Sequence, residues 1–265
     1  MSRPDLHGDP EGLITVVSPA HNASHFYAPW LQSIAAQEYA NLEVILVDDG
    51  SDDGLPAQLQ DAPAFVRYLR QDRGGPGAAR NLAIRASHGA YLAFLDLDDR
   101  WAKGHLKRLH AALQDDPSAG IAQGLIRKFL CEPGGELAYC SEAYRFVNLG
   151  ASLFRRAVFE QCGLFDEELR FGEDFDLIIR CWEQGIRKID VAAVSLLYYR
   201  HEGNMTNGKS LIDLGAVQVY KRRLDRMRSG QVDLAVVQAR GIGFPDYIGR
   251  TAGPFDEGSR EPLES

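Results

Sequence analysis

Cysteine is scarce: the chain has four in 265 residues, at positions 131, 140, 162 and 181, with no CxxC pair among them. That spacing excludes a zinc ribbon and a disulfide-stapled scaffold, and it leaves buried free thiols in a reducing compartment as the expectation. Long apolar runs are missing, so nothing approaches the ~20 residues of a membrane-spanning helix. Positive charge is in deficit: 29 Lys and Arg against 37 Asp and Glu give a formal net charge of −8, the wrong sign for a nucleic-acid-binding protein. The first residues, MSRPDLHGDPEG, hold no apolar stretch of the kind an export signal uses, so the expected location is the cytoplasm. There is no internal repeat and no phosphate-cradling P-loop sequence. What remains is an ordinary globular composition, 45% hydrophobic and 25% charged, with ample length for a core.

The stretch AYLAFLDLDDRW, 90–101, organises the rest. Tyr91 to Leu95 is an unbroken apolar run, which reads as a strand buried on both faces. It stops at Asp96, Asp98 and Asp99. In open α/β sheets ligands bind at the carboxyl ends of strands. Asp96 and Asp98 are two apart and would face the same way in extended chain, or close on one cation in a loop. Mg²⁺ and Mn²⁺ choose such oxygen ligands, often together with substrate phosphates. The competing reading is that these acids cap the next helix.

The flanking pattern supplies more strands and helices. Leu13–Ser18 is a β-branched strand broken by Pro19, and a helix is expected over His25–Gln37. Glu43–Val47 and Phe65–Leu69 are further strands, and Gly74–Gly77 opens a helix with Ala79, Leu82, Ala83 and Ala86 on one face. A helix follows the central strand over Gly104–Leu113. Strand alternating with helix predicts a mostly parallel α/β sheet, with right-handed crossovers placing the strand ends on one edge. Later come strands over Ile121–Leu130, Ala151–Phe154 and Lys188–Tyr199, a turn over Cys131–Tyr139, and helices over Arg155–Gln161, from Glu173 to a stop at Gly185, and over Leu211–Arg228. The expected organisation is a lead-in over 1–12, one domain over 13–208 in a donor half (13–99) and an acceptor half (100–208), a helical appendage over 209–240 and a loose tail over 241–265.

Several constellations have a bland alternative. The acids from Asp48 to Asp53 do not make an EF-hand, because the twelfth position counted from Asp49 is Gln60 and a strand precedes the loop; a turn and helix cap is the simpler reading. Gly75–Arg80 misses the third glycine of a dinucleotide fingerprint. Glu173 and Asp174 suit a helix start, and one of them also suits a general base whose pKa burial or a neighbouring carboxylate would raise. Arg200 and His201 read as a surface pair, or as a phosphate contact and a metal ligand. His21 stands at the first strand's end, near where a base or ribose would lie. The cluster Lys221–Arg228 reads as the solvated face of an amphipathic helix, with peripheral contact to anionic lipid at a membrane's inner face as the alternative.

Five segments, LITVVSPAHN (13–22), EVILVDDGSDDG (43–54), GGPGAARNLAIRASHGAYLAFLDLDD (74–99), GLFDEELRFGEDFDLIIR (163–180) and YYRHEGN (198–204), together resemble a family 2 glycosyltransferase of the GT-A fold in their order and spacing. The resemblance implies a Rossmann-like mixed, mostly parallel sheet flanked by helices. It implies an inverting, metal-dependent transferase using Mn²⁺ or Mg²⁺ and a nucleotide-diphospho-sugar, typically a UDP-sugar. The acceptor would be a glycan, a lipid-linked or a small molecule, in polysaccharide or glycoconjugate assembly. Pro19 and Ala20 would line the base pocket, Asp49 would bond the base, and Arg80 would hold the nucleotide or its phosphates. Asp96-Leu97-Asp98 would be the DxD motif, with Asp96 near the ribose and Asp98 on the metal. Arg200 would meet the donor, His201 would complete the metal site, and Asp174 would be the base with Glu173 supporting it. The chain departs from the pattern in having His21-Asn22 where the family carries Tyr-Asn, and in placing Arg200 directly beside His201. A nucleotidyltransferase and a non-catalytic sugar-nucleotide or glycan-binding module are the rival readings.

Overall fold

A computed structural model describes residues 10–59, 62–131, 137–205, 207–210 and 212–249. Four strands form its parallel half: β1 (Ile14–Ala20), β2 (Leu42–Asp49), β3 (Val66–Gln71) and β4 (Tyr91–Phe94). They lie in the order β3-β2-β1-β4. The helices between them are α1 (Tyr27–Ala35), the short α2 (Leu55–Gln58) and α3 (Pro76–Ala86). The sheet continues through β5 (Arg100–Trp101), α4 (His105–Asp115), β6 (Ala119–Cys131), β7 (Leu137–Cys140), β8 (Ser152–Arg155), α5 (Arg156–Cys162), α6 (Glu173–Glu183) and β9 (Arg187–Arg200). Beyond β4 the order is β8-β6-β9-β5, with β7 on β6. Here β8 runs antiparallel to β4 and β6, and β9 runs parallel to β6 and antiparallel to β5.

Both faces of the sheet are covered, which is why its strands read as continuous apolar runs. Ile14, Val16, Val44, Leu46, Tyr91, Ala93 and Leu95 pack with Trp30 and Ile34 of α1 and with Leu106, Leu109 and Leu113 of α4. The alternate residues Val17, Ile45, Val47, Leu92 and Phe94 pack with Ala79 and Ala83 of α3, Phe159 of α5 and Leu177 of α6.

Pro19 does not end β1, as the sequence suggested. The strand runs on to Ala20, and Pro19 pairs with Val47. Leu13 and Val17 accept hydrogen bonds from β4 amides, so alternation turns the nitrogen of Pro19 to the same side, past the end of β4, where no ladder bond is lost. Part of the expected turn at 131–139 is instead β7, paired with β6.

The C-terminal segment also differs from expectation. Helices α7 (Ala216–Arg228), α8 (Leu234–Ala239) and α9 (Phe244–Ile248) follow the sheet, and α9, inside the supposed loose tail, buries Tyr247 and Ile248; residues 250–265 lie outside the described set. On α7, Val219 is buried against Leu169 and Ile179. Three members of the basic cluster point inward rather than to solvent. Arg222 pairs with Asp166 and Glu168, Arg223 with Glu183, and Arg226 with Asp176 and Glu183. Asp176 and Glu183 are 2% and 5% exposed, so α7 supplies the countercharge that their burial requires. Lys221 and Arg228 are the cluster's exposed cations.

His105, at the start of α4, is fully buried and stacks on Trp101 at 4.7 Å. Among the described residues neither ring nitrogen has a hydrogen-bond partner. Burial, reinforced by Arg108, pushes its pKa down to about 3. The unfolded chain therefore takes up a proton near pH 6.5 that the folded chain refuses until about pH 3, and stability is lost as pH falls through that window. We expect His105→Leu to remove this loss. Urea unfolding should show wild type losing about 2 kcal/mol more than the variant between pH 7 and pH 5; parallel losses would place the acid sensitivity elsewhere.

Candidate active site

Parallel pairing of β1 with β2 and β4 brings their carboxyl ends to one edge. The turns beyond β1 and β2 are knitted together there. His21 Nδ1 is hydrogen-bonded to the Asp49 carbonyl at 2.8 Å, the Asn22 amide donates to Ser51 Oγ at 3.0 Å, and the Asp52 amide donates to Asn22 Oδ1 at 2.9 Å. Asp48 is fully buried and accepts from Ser51, Tyr68 and Arg70. Burial pushes its carboxyl up, but these hydrogen bonds and the Arg70 charge outweigh that and hold it below the ordinary range.

Asp49 is 4% exposed. Its Oδ1 accepts from Gln71 Nε2 at 2.8 Å and the Gly74 amide at 2.7 Å, and its Oδ2 accepts from the Gly75 amide at 2.8 Å. Gly75 caps α3 at φ +89°, a conformation that favours glycine. Asp49 therefore anchors the loop that launches α3. Three of its roughly four acceptor sites are spent on the protein, and one remains for a ligand donor.

Arg80 departs further from expectation. It lies in the second turn of α3 and is 6% exposed. Its Nη1 donates to Glu173 Oε1 at 2.6 Å, and its Nη2 donates to Asp96 at 3.0 and 3.3 Å. The guanidinium sits 5.7 Å from the Phe165 ring centroid. Burial works against its charge, but Asp96, Glu173 and Asp174 outweigh it and hold its pKa above the ordinary value. Both terminal nitrogens are thus engaged by carboxylates.

The carboxylates after β4 diverge. The Asp99 amide closes a turn onto the Asp96 carbonyl at 3.1 Å, so Asp96 and Asp98 do not share the extended geometry that would aim them together. Asp96 turns to Arg80. Asp98 Oδ2 lies 3.4 Å from His201 Nε2 and accepts from Asn204 Nδ2 at 3.1 Å. Burial and the Asp96 charge raise the Asp98 carboxyl above its ordinary value, against the pull of His201. Asp99 caps no helix, because α4 starts after Gly104 without a side-chain cap; it is 5% exposed and accepts from the Tyr199 amide of β9 at 3.1 Å. That bond and the β5–β9 pairing carry the end of β9 alongside the motif. Arg200 points to solvent and donates to Asn207 Oδ1 at 3.3 Å.

Helix α6 begins after Gly172, at φ +77°, with Glu173, Asp174 and Asp176 in its first turn, where the helix dipole favours negative charge. Burial raises Glu173 to about 7 despite Arg80, with Asp174 adding to the rise. Burial also raises Asp174, opposed by Arg80 and reinforced by Asp96. A carboxylate held in this way suits proton abstraction near neutral pH.

No three His, Cys, Asp or Glu side chains among the described residues form a ready metal cluster. Asp98 and His201 nevertheless fit a divalent ion. They offer one oxygen and one nitrogen, His201 Nε2 is buried without a hydrogen-bond partner, and such ions complete their shell with water and substrate phosphate. Asn204 and the Arg80–Glu173 pair escaped sequence reasoning. The only signals were an Asn after Gly in the YYRHEGN loop and an Arg and a Glu 93 residues apart.

Residues 15–165 match the family model described as Glycosyl transferase family 2. Among curated proteins, the chain is 30% identical over 218 residues to the succinoglycan biosynthesis protein ExoO of Rhizobium meliloti, covering 73% of this chain and 62% of that one. It is 26% identical over 214 residues to an uncharacterized glycosyltransferase, EpsJ, of Bacillus subtilis, covering 72% and 62%. The chain thus spans about three-fifths of the length of these relatives. Among solved structures it resembles S. aureus TarS 1-349 in complex with UDP-GlcNAc (TM-score 0.63, 20% identity, 75% of this chain and 61% of that one). It also resembles the mannosyltransferase PcManGT of Pyrobaculum calidifontis in complex with GDP-Man and Mn²⁺ (TM-score 0.58, 22% identity, 76% and 62%). These likenesses establish the GT-A fold.

Asp49→Ala should strand two backbone amides and the Gln71 amide. We expect a loss of about 3 kcal/mol in urea unfolding; a loss below about 0.5 kcal/mol would mean that the α3 loop is held by something else.

Proposed function

The chain belongs to glycosyl transferase family 2, and from that membership we propose that it moves a sugar from a nucleotide-diphospho-sugar to an acceptor hydroxyl with inversion. The observation that carries this reading is the meeting, through Arg80, of the Asp96–Asp98 turn with the Glu173–Asp174 start of α6. Asp98 and His201 would hold Mn²⁺ or Mg²⁺, which when bound would neutralise the leaving diphosphate. Pro19 and Ala20 close the base side of the edge. Asp174 takes the acceptor proton from the face opposite the leaving group, so that a single displacement inverts the anomeric carbon. A UDP-sugar is the favoured donor, supported by the complex of TarS with UDP-GlcNAc; the GDP-Man complex of PcManGT makes GDP-mannose the control. The relation to a succinoglycan biosynthesis protein supports polysaccharide assembly as the setting, with a glycan or lipid-linked acceptor.

The sign of the pH dependence follows from Asp174. Its carboxyl is raised above the ordinary value and must be ionised to act, so transfer should fall with acid at a pH above that at which an ordinary aspartate, about 4, would lose its charge. Asp174→Asn should cut kcat by roughly 10² or more with UDP affinity unchanged; near-normal transfer by this variant would remove Asp174 as the base. Calorimetry should find UDP binding strengthened at least about tenfold by Mn²⁺, and Asp98→Ala should abolish that gain. Mn²⁺-dependent UDP binding without turnover of any donor in a UDP-sugar and GDP-mannose panel would instead identify a binding module.

A further inference from the structure

Three carboxylates and one cation meet at Arg80. Glu173 and Asp96 take its terminal nitrogens at 2.6 and 3.0 Å, and Asp174, next to Glu173, acts on the same charge. The Arg80 and Glu173 side chains are 7% and 8% exposed, and Asp96 is 46% exposed. Arg80 Nε is buried with no partner among the described residues. Glu173 and Asp96 hold the two terminal nitrogens from different sides, and the Phe165 ring lies over the guanidinium. The geometry suits a strut more than a ligand. A single planar fork joins α3, the turn after β4 and the start of α6, and a lysine could not bridge both carboxylates in that way.

We infer that Arg80 and Glu173 are positioning residues: the guanidinium, held between Glu173 and Asp96, registers the start of α6, and with it Asp174, against the donor edge. This rests on the reading of Asp174 as the base. The charged groups that act on Asp174 are Arg80 from α3 and Asp96 from the turn after β4, with Glu173 beside it on its own helix. Removing the Arg80 cation leaves Asp174 among like charges and favours its protonated form. A residue that merely filled space would not move Asp174.

The test uses the full chain with ¹³C-labelled carboxyls, and the Asp174 resonance is identified by its loss in Asp174→Asn. We expect Arg80→Gln to raise the Asp174 titration midpoint by about one pH unit, and Glu173→Gln, which weakens the bond to Arg80, to lower kcat at least about tenfold with UDP affinity in Mn²⁺ within about threefold. Arg80→Lys keeps the charge, so its midpoint should stay near wild type, with UDP affinity in Mn²⁺ within about threefold and kcat down at least about tenfold. Should Arg80→Gln fail to fold, Arg80→Lys and Glu173→Gln decide the matter. The inference is overturned if Arg80→Gln leaves the Asp174 midpoint in place, if Glu173→Gln and Arg80→Lys keep kcat near wild type, or if Arg80→Lys weakens UDP more than about tenfold, the mark of a lost phosphate contact. Transfer assays of wild type with UDP-glucose, UDP-GlcNAc and GDP-mannose stand apart. A wild type that neither transfers nor hydrolyses any donor refutes the proposed function, while the carboxyl titration and UDP affinity still decide the role of Arg80.

Discussion

A buried arginine bonded to two carboxylates is the interaction on which this site depends. Taking Arg80 and Glu173 out of water is costly, and their mutual attraction offsets that cost only while the geometry is close. At 2.6 Å, with Phe165 over the guanidinium, the geometry is close. The pair joins residues 93 apart in sequence, one on α3 and one on α6. Loss of Arg80 would leave Glu173 buried without its cation, so the pair ties the two helices together. The second carboxylate, Asp96, extends the same link to the turn after β4.

The same electrostatic requirement explains the C-terminal helices. The first turn of α6 presents Glu173 and Asp174 to the site, while its other face carries Asp176 and Glu183, both buried. Arg180 pairs with Asp176 from within the helix. Arg223 and Arg226 arrive from α7 to pair with Glu183 and, in the case of Arg226, with Asp176 as well. The helix that holds Asp174 is thus seated by countercharges supplied from 216–228, which makes that segment part of the support of α6. A basic helix in an acidic protein suggests an external anionic partner, and here most of the cluster's charge finds its partners inside the chain.

Local signals carried much of this structure. The apolar runs of β1, β2 and β4 and the helical spacing of α4 and α6 depend on side chains a few residues apart, and both faces of the sheet impose the same hydrophobic demand. The joint order of the five segments identified the family. The partners of polar side chains were not legible. Asp99 reads as a cap because Asp before a helix often caps; its actual partner, the Tyr199 amide, is 100 residues away. The resemblance implied that Arg80 holds the nucleotide or its phosphates, and nothing local reveals Glu173 as its partner. Asp49 was assigned to the strand end, yet its closeness to the Gly74 and Gly75 amides follows from β3 and the loop beyond it. Pro19 misled for a different reason. Proline breaks strands only where its missing N–H would have been used, and the end of β4 decides that.

The pairing of Asp98 with His201 sets a further condition on loading an ion. The Gly203 amide donates to His201 Nδ1 at 3.1 Å, so in a neutral ring the proton lies on Nε2, the nitrogen 3.4 Å from Asp98. A ring bound to a metal through Nε2 must carry its proton on Nδ1 instead, and Nδ1 can then no longer accept from Gly203. An ion held there through Nε2 would therefore cost the Gly203 bond to the ring. Asn204 would keep that change local: it bonds Asp98 with its amide and accepts from the His201 backbone with its carbonyl, so Asp98 and the 201–204 turn stay connected whichever nitrogen carries the proton. If Asp98 and His201 hold the ion, Asn204 belongs to the support of that site, for the same reason that it braces the ring here.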